Sequence, residues 1–471
     1  MKKSSLSLIV ASSLCLLSAC GGGGGTPPPP AQATHFSVSG PANIPTGTFF
    51  NVTVTALDAS NNPVTNYSGS VHFTSSDARA QLPQDSSIVS GGQSFSASLI
   101  TAGNQTITVT DKTTSSIAGS SNAIHVGAIA GAFPVEWFGA KGDGESDDTT
   151  AIQNAISTAA AAGGGSVLFK VARYFTTGTF VVPTGVVLCG SVEGPFDVSG
   201  VNPALTTIAP TLLITNTSNP FLTLQGIGIG VSDLLFHYPN QVPSSVSRPT
   251  VYPYTITVTQ GNAATKVVRS TVTNAYNFLD IESGRTLAQD LYIGALNIGV
   301  NIDHTFDFTM LQNLHHGVFW DEVEGSSYPT TLDSWVLNNG TALVVARMDA
   351  LEVHDFFVFS RFTGVQLIDS PDTTLPTRHG WGRLSDIQLQ NVQYGVIANT
   401  TTPFGYEFSN LQVAAAPGLG KAAVQLTAGG TYPPYVLVNG GSVAGTWALG
   451  PFPTPQAGRL FTADIIGFDL P

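Results

Sequence analysis

Cysteine is almost missing from this chain, with three in 471 residues, at positions 15, 20 and 189. That excludes a disulfide framework, so stability must come from packing and hydrogen bonding. Cys189, inside the apolar run "GVVLCGS", reads as a small packed hydrophobe. Charge is also scarce: Asp, Glu, Lys and Arg make up 10% of the residues, with 17 basic against 30 acidic side chains and a formal net charge of −13. No basic footprint forms, which excludes a nucleic-acid partner. The apolar stretch Leu6–Leu17 is too short to cross a bilayer. Helical patterning is nearly absent as well. Gly, Thr, Ser and Val fill short alternating segments, a composition suited to turns and β-structure.

What is present begins with an export signal over residues 1–19. Lys2 and Lys3 form a positive start, the apolar stretch follows, and "LSAC" closes it. "LSAC" resembles a bacterial lipobox, which implies cleavage before Cys20 and lipidation there. Ordinary signal cleavage nearby is the other reading. Gly21 rather than Asp follows the cysteine. By analogy with diderm lipoproteins this implies an exported chain anchored to the outer membrane or cell surface. Residues 20–34, with "GGGGGTPPPP", read as a tether, flexible and then stiff.

Residues 35–127 hold alternating runs such as "FFNVTVTALD" and "NQTITVTD", separated by turn clusters. Several short strands at this spacing predict a small β-sandwich, and the segment resembles immunoglobulin-like domains of bacterial surface proteins. A spacer role suits it, with carbohydrate binding as the alternative.

From residue 130 the texture changes. In "SDDTTAIQNAISTAAAAGGGSVLF", Ala151, Ile152, Ala155, Ile156 and Ala159 recur as one helical face. Asp147 and Asp148 precede the face, as capping residues would, and three glycines end it. The pair is therefore read as structural rather than catalytic.

The stretch from "WFGAKGDGESDDTTAIQNAI" to "YFTTGTFVVPTGVVLCG" resembles the start of the pectate-lyase-like superfamily. That group includes rhamnogalacturonases, polygalacturonase-related hydrolases, epimerases and phage tailspikes. The resemblance implies an all-β fold for residues 130–471: a right-handed parallel β-helix whose first end is covered by the short helix. Glycines at 299, 317, 340, 364 and 395 recur in steps of 18, 23, 24 and 31 residues, as solenoid coils with loops of unequal length would.

Aligning those coils puts Asp280, Asp303 and Asp321 at equivalent positions, each after an apolar residue, so strand alternation turns them outward. A ladder of carboxylates about 4.8 Å apart results, and at least one pKa must rise unless a cation intervenes. Asp280, Asp303, Asp321, Asp307 and His316 are thus catalytic candidates. Glu282, Arg285, His304, His315, Phe319 and Glu322 are candidates for binding substrate. The oxygens suit paired-carboxylate glycoside hydrolysis or Ca²⁺ as an optional ligand; no cofactor is required. The structural alternative is that the aspartates satisfy turn N–H groups and the histidines pack.

Polygalacturonase-like hydrolases carry Asn-Thr-Asp, Asp-Asp, His-Gly and Arg-Ile-Lys motifs. Here only His316-Gly317 matches in context, which weighs against that activity. Between Asp280 and Glu324 eight acids face one base, Arg285. Such a face repels a polyuronate and admits a neutral glycan. The expectation is a surface-anchored polysaccharide-active protein, hydrolase or lyase, with a non-catalytic glycan-binding or adhesive protein, or a purely structural envelope protein, as alternatives. Oligomeric state is left open.

Overall fold

The computed structural model describes residues 31–127, 131–198, 203–241, 248–317, 331–400, 405–426, 436–444 and 447–449. The signal segment, Cys20, Phe319, Asp321 and Glu322 lie outside the described residues.

Residues 35–127 form a small all-β unit. One sheet joins His35–Ser39, Phe49–Leu57 and Gly92–Ser98 antiparallel, and another is built on Gly69–Ser75 and Ile107–Asp111. The alternation seen in the sequence is the burial pattern: Val52, Val54, Ala56, Val71 and Val109 are all fully buried in one core. This unit meets the start of the next through Gln81, whose side-chain amide donates to the Trp137 carbonyl at 2.7 Å.

Among the described residues, the strands from Ala132 onward belong to one sheet of 21 whose partners are parallel. It is a right-handed parallel β-helix. Inward positions stack coil upon coil: Leu279, Val300, Leu343, Val365, Val396 and Val424 are successive register partners, each at most 1% exposed. The first end is closed by α1 (Thr149–Ala161), and the five apolar positions of its predicted face are the five that are buried. Without this cover the first strands would leave an apolar end in water.

The capping expectation needs one correction. Asp147 accepts the Thr149 N–H at 3.0 Å and so does serve the helix start. Asp148 does not. Buried beside the core, it accepts the N–H groups of Lys141 and Gly142 at 2.7 and 3.1 Å and ties down the preceding loop.

Each coil turns a corner at a residue held in left-handed backbone. Asp233, Arg269, Asp290, Asn313, Asp355, Asp386, Asn410 and Gly440 occupy this one register position in successive coils, with φ between 46° and 71°. Asp and Asn enter this region at lower cost than other side chains. They also bond along the stack: Asn313 donates to Asp290 and Asn410 to Asp386, both at 2.7 Å. Arg269, an unusual occupant, is held by two bonds to Asp233, at 2.7 and 2.8 Å.

The glycine repeat is only partly a coil repeat. Gly299, Ala342, Gly364 and Gly395 are true equivalents. Gly317 and Gly340 instead bracket an insertion within one coil, which contains a second helix, α2 (Thr331–Asn339). That helix has weak amphipathic character and is tied down by Leu332 and Val336 packing on Leu296.

If the corner is set by backbone handedness, Asp355→Val should cost about 1–2 kcal/mol and Asp355→Gly only a few tenths. Urea unfolding midpoints of the two variants, compared with wild type, measure this directly.

Candidate functional site

The strands Thr265–Ile281 and Thr286–Ile302 end side by side, and the turns that follow them form a cleft of about 280 Å³. Glu282 and Arg285 come from the first turn, His304, Phe306 and Asp307 from the second, with Asn262 from the turn before. The two turns approach closely at Gly284, where a Cβ would lie 2.6 Å from that of Asp307. Four sequence candidates, Glu282, Arg285, His304 and Asp307, are thus brought to one place.

The expected ladder is not among the features found. Asp280 pairs in register with Asn301, not with Asp303. The alignment had slipped by two residues, which preserves outward parity but moves Asp303 to the rung of Glu282. Asp321 lies outside the described residues. Among the described residues no three His, Cys, Asp or Glu side chains converge as metal ligands. The Ca²⁺ expectation rested on a shared rung that Asp280 and Asp303 do not have.

Asp303 is a framework carboxylate. Only 7% exposed, it accepts the N–H groups of His304 and Arg347 at 2.8 and 3.1 Å on one oxygen and the Ser370 hydroxyl at 2.9 Å on the other. His304, in left-handed backbone with φ 55°, lies between two acids. Its Nε2 is 3.0 Å from Asp372 and its Nδ1 3.4 Å from Asp303. Desolvation works against charge on the ring. The hydrogen bond to Asp372 and the charges of Asp303 and Glu282 outweigh it and hold the pKa above the ordinary histidine value. In return the His304 bond, with two from Thr374, lowers Asp372 to about 2.

Asp280 behaves in the opposite way. Desolvation pushes its pKa up to about 6, with the charges of Glu282 and Asp303 adding to the rise and the Asn301 hydrogen bond, 2.8 Å long, opposing it. Two residues on, with the same outward parity, Glu282 opens into the cleft, and among the described residues nothing hydrogen-bonds to its carboxylate. Arg285 is engaged by Asp307 at 2.6 Å. The Phe308 N–H and then this arginine hold the Asp307 carboxyl below its usual range.

The histidines read from "LHHG" lie elsewhere. His316 is fully buried against the Ala295 carbonyl and the Arg361 guanidinium, at 3.1 and 3.2 Å, and burial holds it neutral. It is a core residue and cannot reach a substrate, because it faces inward between coils. His315 packs edge-on between Tyr292 and Phe357 on a different face from the cleft.

Sequence reasoning missed Asp372. It sits in the segment between Ile368 and Gly382, which folds back so that Ser370 and Asp372 reach residues 67 and 68 positions earlier. The long step between Gly364 and Gly395 announced a loop there but not its direction.

Parallel coils, a helix-covered first end and a cleft built on coil-to-coil turns define a parallel β-helix protein. Within it, residues 132–318 match the family model described as "Rhamnogalacturonase A/epimerase, pectate lyase-like". Similar solved structures include the A-module of mannuronan C-5 epimerase AlgE4 from Azotobacter vinelandii, at 13% identity over 68% of this chain and 98% of that one, TM-score 0.33. A Family 28 exopolygalacturonase from Yersinia enterocolitica is similar at 12% identity over 89% and 88%, TM-score 0.28. The surface protein and adhesin PfbA from Streptococcus pneumoniae is similar at 12% identity over 68% and 96%, TM-score 0.35. No curated protein matches the chain in sequence.

Two outcomes test this electrostatic arrangement. Removing the charge of Asp372 with Asp372→Asn should lower the His304 pKa, read from its ring-proton NMR titration. Asp280 has a folded pKa above its unfolded value, so its contribution to stability is full below about 3.9 and lost as pH rises through about 6. Asp280→Asn keeps the acceptor for Asn301 and should therefore gain about 1–2 kcal/mol at pH 8 and nothing at pH 3.5. Denaturant midpoints at the two pH values read the difference.

Proposed function

We propose that the protein hydrolyses glycosidic bonds of a polysaccharide in this cleft. The observation that carries the reading is Glu282, whose carboxylate opens into the cleft with no hydrogen bond from any described residue, next to Asp280, a carboxyl that desolvation pushes up to about 6. A carboxyl that keeps its proton to higher pH suits the acid role, and a neighbour that opens into water suits the role of base.

In the proposed step Glu282 takes a proton from a water as its oxygen attacks the anomeric carbon. The Asp280 proton passes to the glycosidic oxygen as the C–O bond breaks. His304 is not the acid, because both ring nitrogens face carboxylates; it serves as a fixed cation beside Glu282. The family match over residues 132–318 supports the carbohydrate reading. The lipobox-like "LSAC" supports a position outside the cell with a lipid anchor at Cys20.

A depolymerisation screen of the Thr34–Pro471 fragment, with neutral and acidic polysaccharides, tests the proposal. Glu282→Gln should lower kcat at least about 100-fold with little change in binding, and wild-type activity should fall as pH rises through about 6. Retention of a glycan without any new reducing ends in the wild type would leave a binding protein instead.

A further inference from the structure

Beside the cleft, aromatic rings stand in solvent where the coils turn. Phe306, Phe308 and Trp381 are 53%, 40% and 40% exposed. Phe306 is itself part of the cleft wall. The Arg347 guanidinium lies 4.7 Å from its ring centroid and is held by Asp349 at 2.7 and 3.1 Å, so the ring has a fixed support. Phe308 and Trp381 each immediately precede the register series Thr309, Leu351 and Gly382. They therefore take the same turn position two coils apart, about 10 Å along the axis, with the small Ala350 between them.

Aromatic rings left in water on a polar edge mark a surface that meets an amphipathic ligand. A sugar ring has that character, with C–H groups on its faces and hydroxyls on its rim. Charge selects among sugars. Glu282 and Asp307 line the approach, while Arg285, Arg347 and His304 are already held by carboxylates. A polyuronate meets net repulsion here and a neutral chain does not.

We propose that Phe306, Phe308 and Trp381 form a stacking track that binds a neutral, linear polysaccharide parallel to the β-helix axis and leads it to Glu282. The track rests on the carbohydrate reading of the cleft but not on its chemistry. Phe306 alone belongs to both, so the two can fail separately.

The test is affinity gel electrophoresis of the Glu282→Gln protein, full length after the signal, through gels containing neutral β-glucan, xylan, galactomannan or polygalacturonate at 0.1 M salt. At least one neutral polymer should retard it, and the Phe308→Ala/Trp381→Ala pair should weaken that retardation about tenfold, with Trp381→Phe restoring most of it. Retardation by polygalacturonate alone, by no polymer, or equally in the aromatic variants overturns the track. If Glu282→Gln still cleaves while the aromatic variants lose retention, the hydrolytic mechanism falls and the track stands.

Discussion

A parallel β-helix has no freedom in where it puts a side chain once the register of its coils is locked. Every outward residue stands beside whichever residue the hydrogen-bond ladder places on the next coil. In this chain the lock is the left-handed corner repeated from Asp233 to Gly440. A residue forced into that backbone region fixes the start of the following strand, and the Asn-to-Asp bonds across coils join one corner to the next. The cleft is a downstream effect of this constraint, since Glu282 and Asp303 share a rung only because the corners before them are in step.

Electrostatics in the cleft then follow from burial and neighbours rather than from acid content. Asp280 loses water and keeps its proton. Glu282 sees open space. His304 gains charge from two carboxylates that also restrain its protons. Asp303, which the sequence marked as chemistry, spends both oxygens on backbone and hydroxyl donors. The carboxyl group therefore plays three roles on two neighbouring coils, and only the local donor set and burial separate them.

The fold was largely legible. The apolar face of α1 was read residue by residue because an amphipathic helix depends on local periodicity alone. The site was legible in part. Glu282, Arg285, His304 and Asp307 were found because two consecutive coils of similar length carry them. The register slipped by two residues because strand alternation has period two, so a slip of two leaves every inside–outside pattern intact. The Gly317–Gly340 insertion imitated a coil by bringing a glycine back at nearly the right interval. Asp372 was invisible for a different reason: a loop that folds back along the axis leaves no periodic trace.

That returning loop also has a consequence for how the molecule holds together under stress. In a solenoid each coil normally touches only its neighbours, so fraying from one end leaves earlier coils intact. Here Ser370 and Asp372 clamp Asp303 and His304 across an intervening coil. The coils from Thr286 to Trp381 are thereby coupled into a larger opening unit. Loss of the later coils would unfasten the histidine long before the strands that carry it came apart.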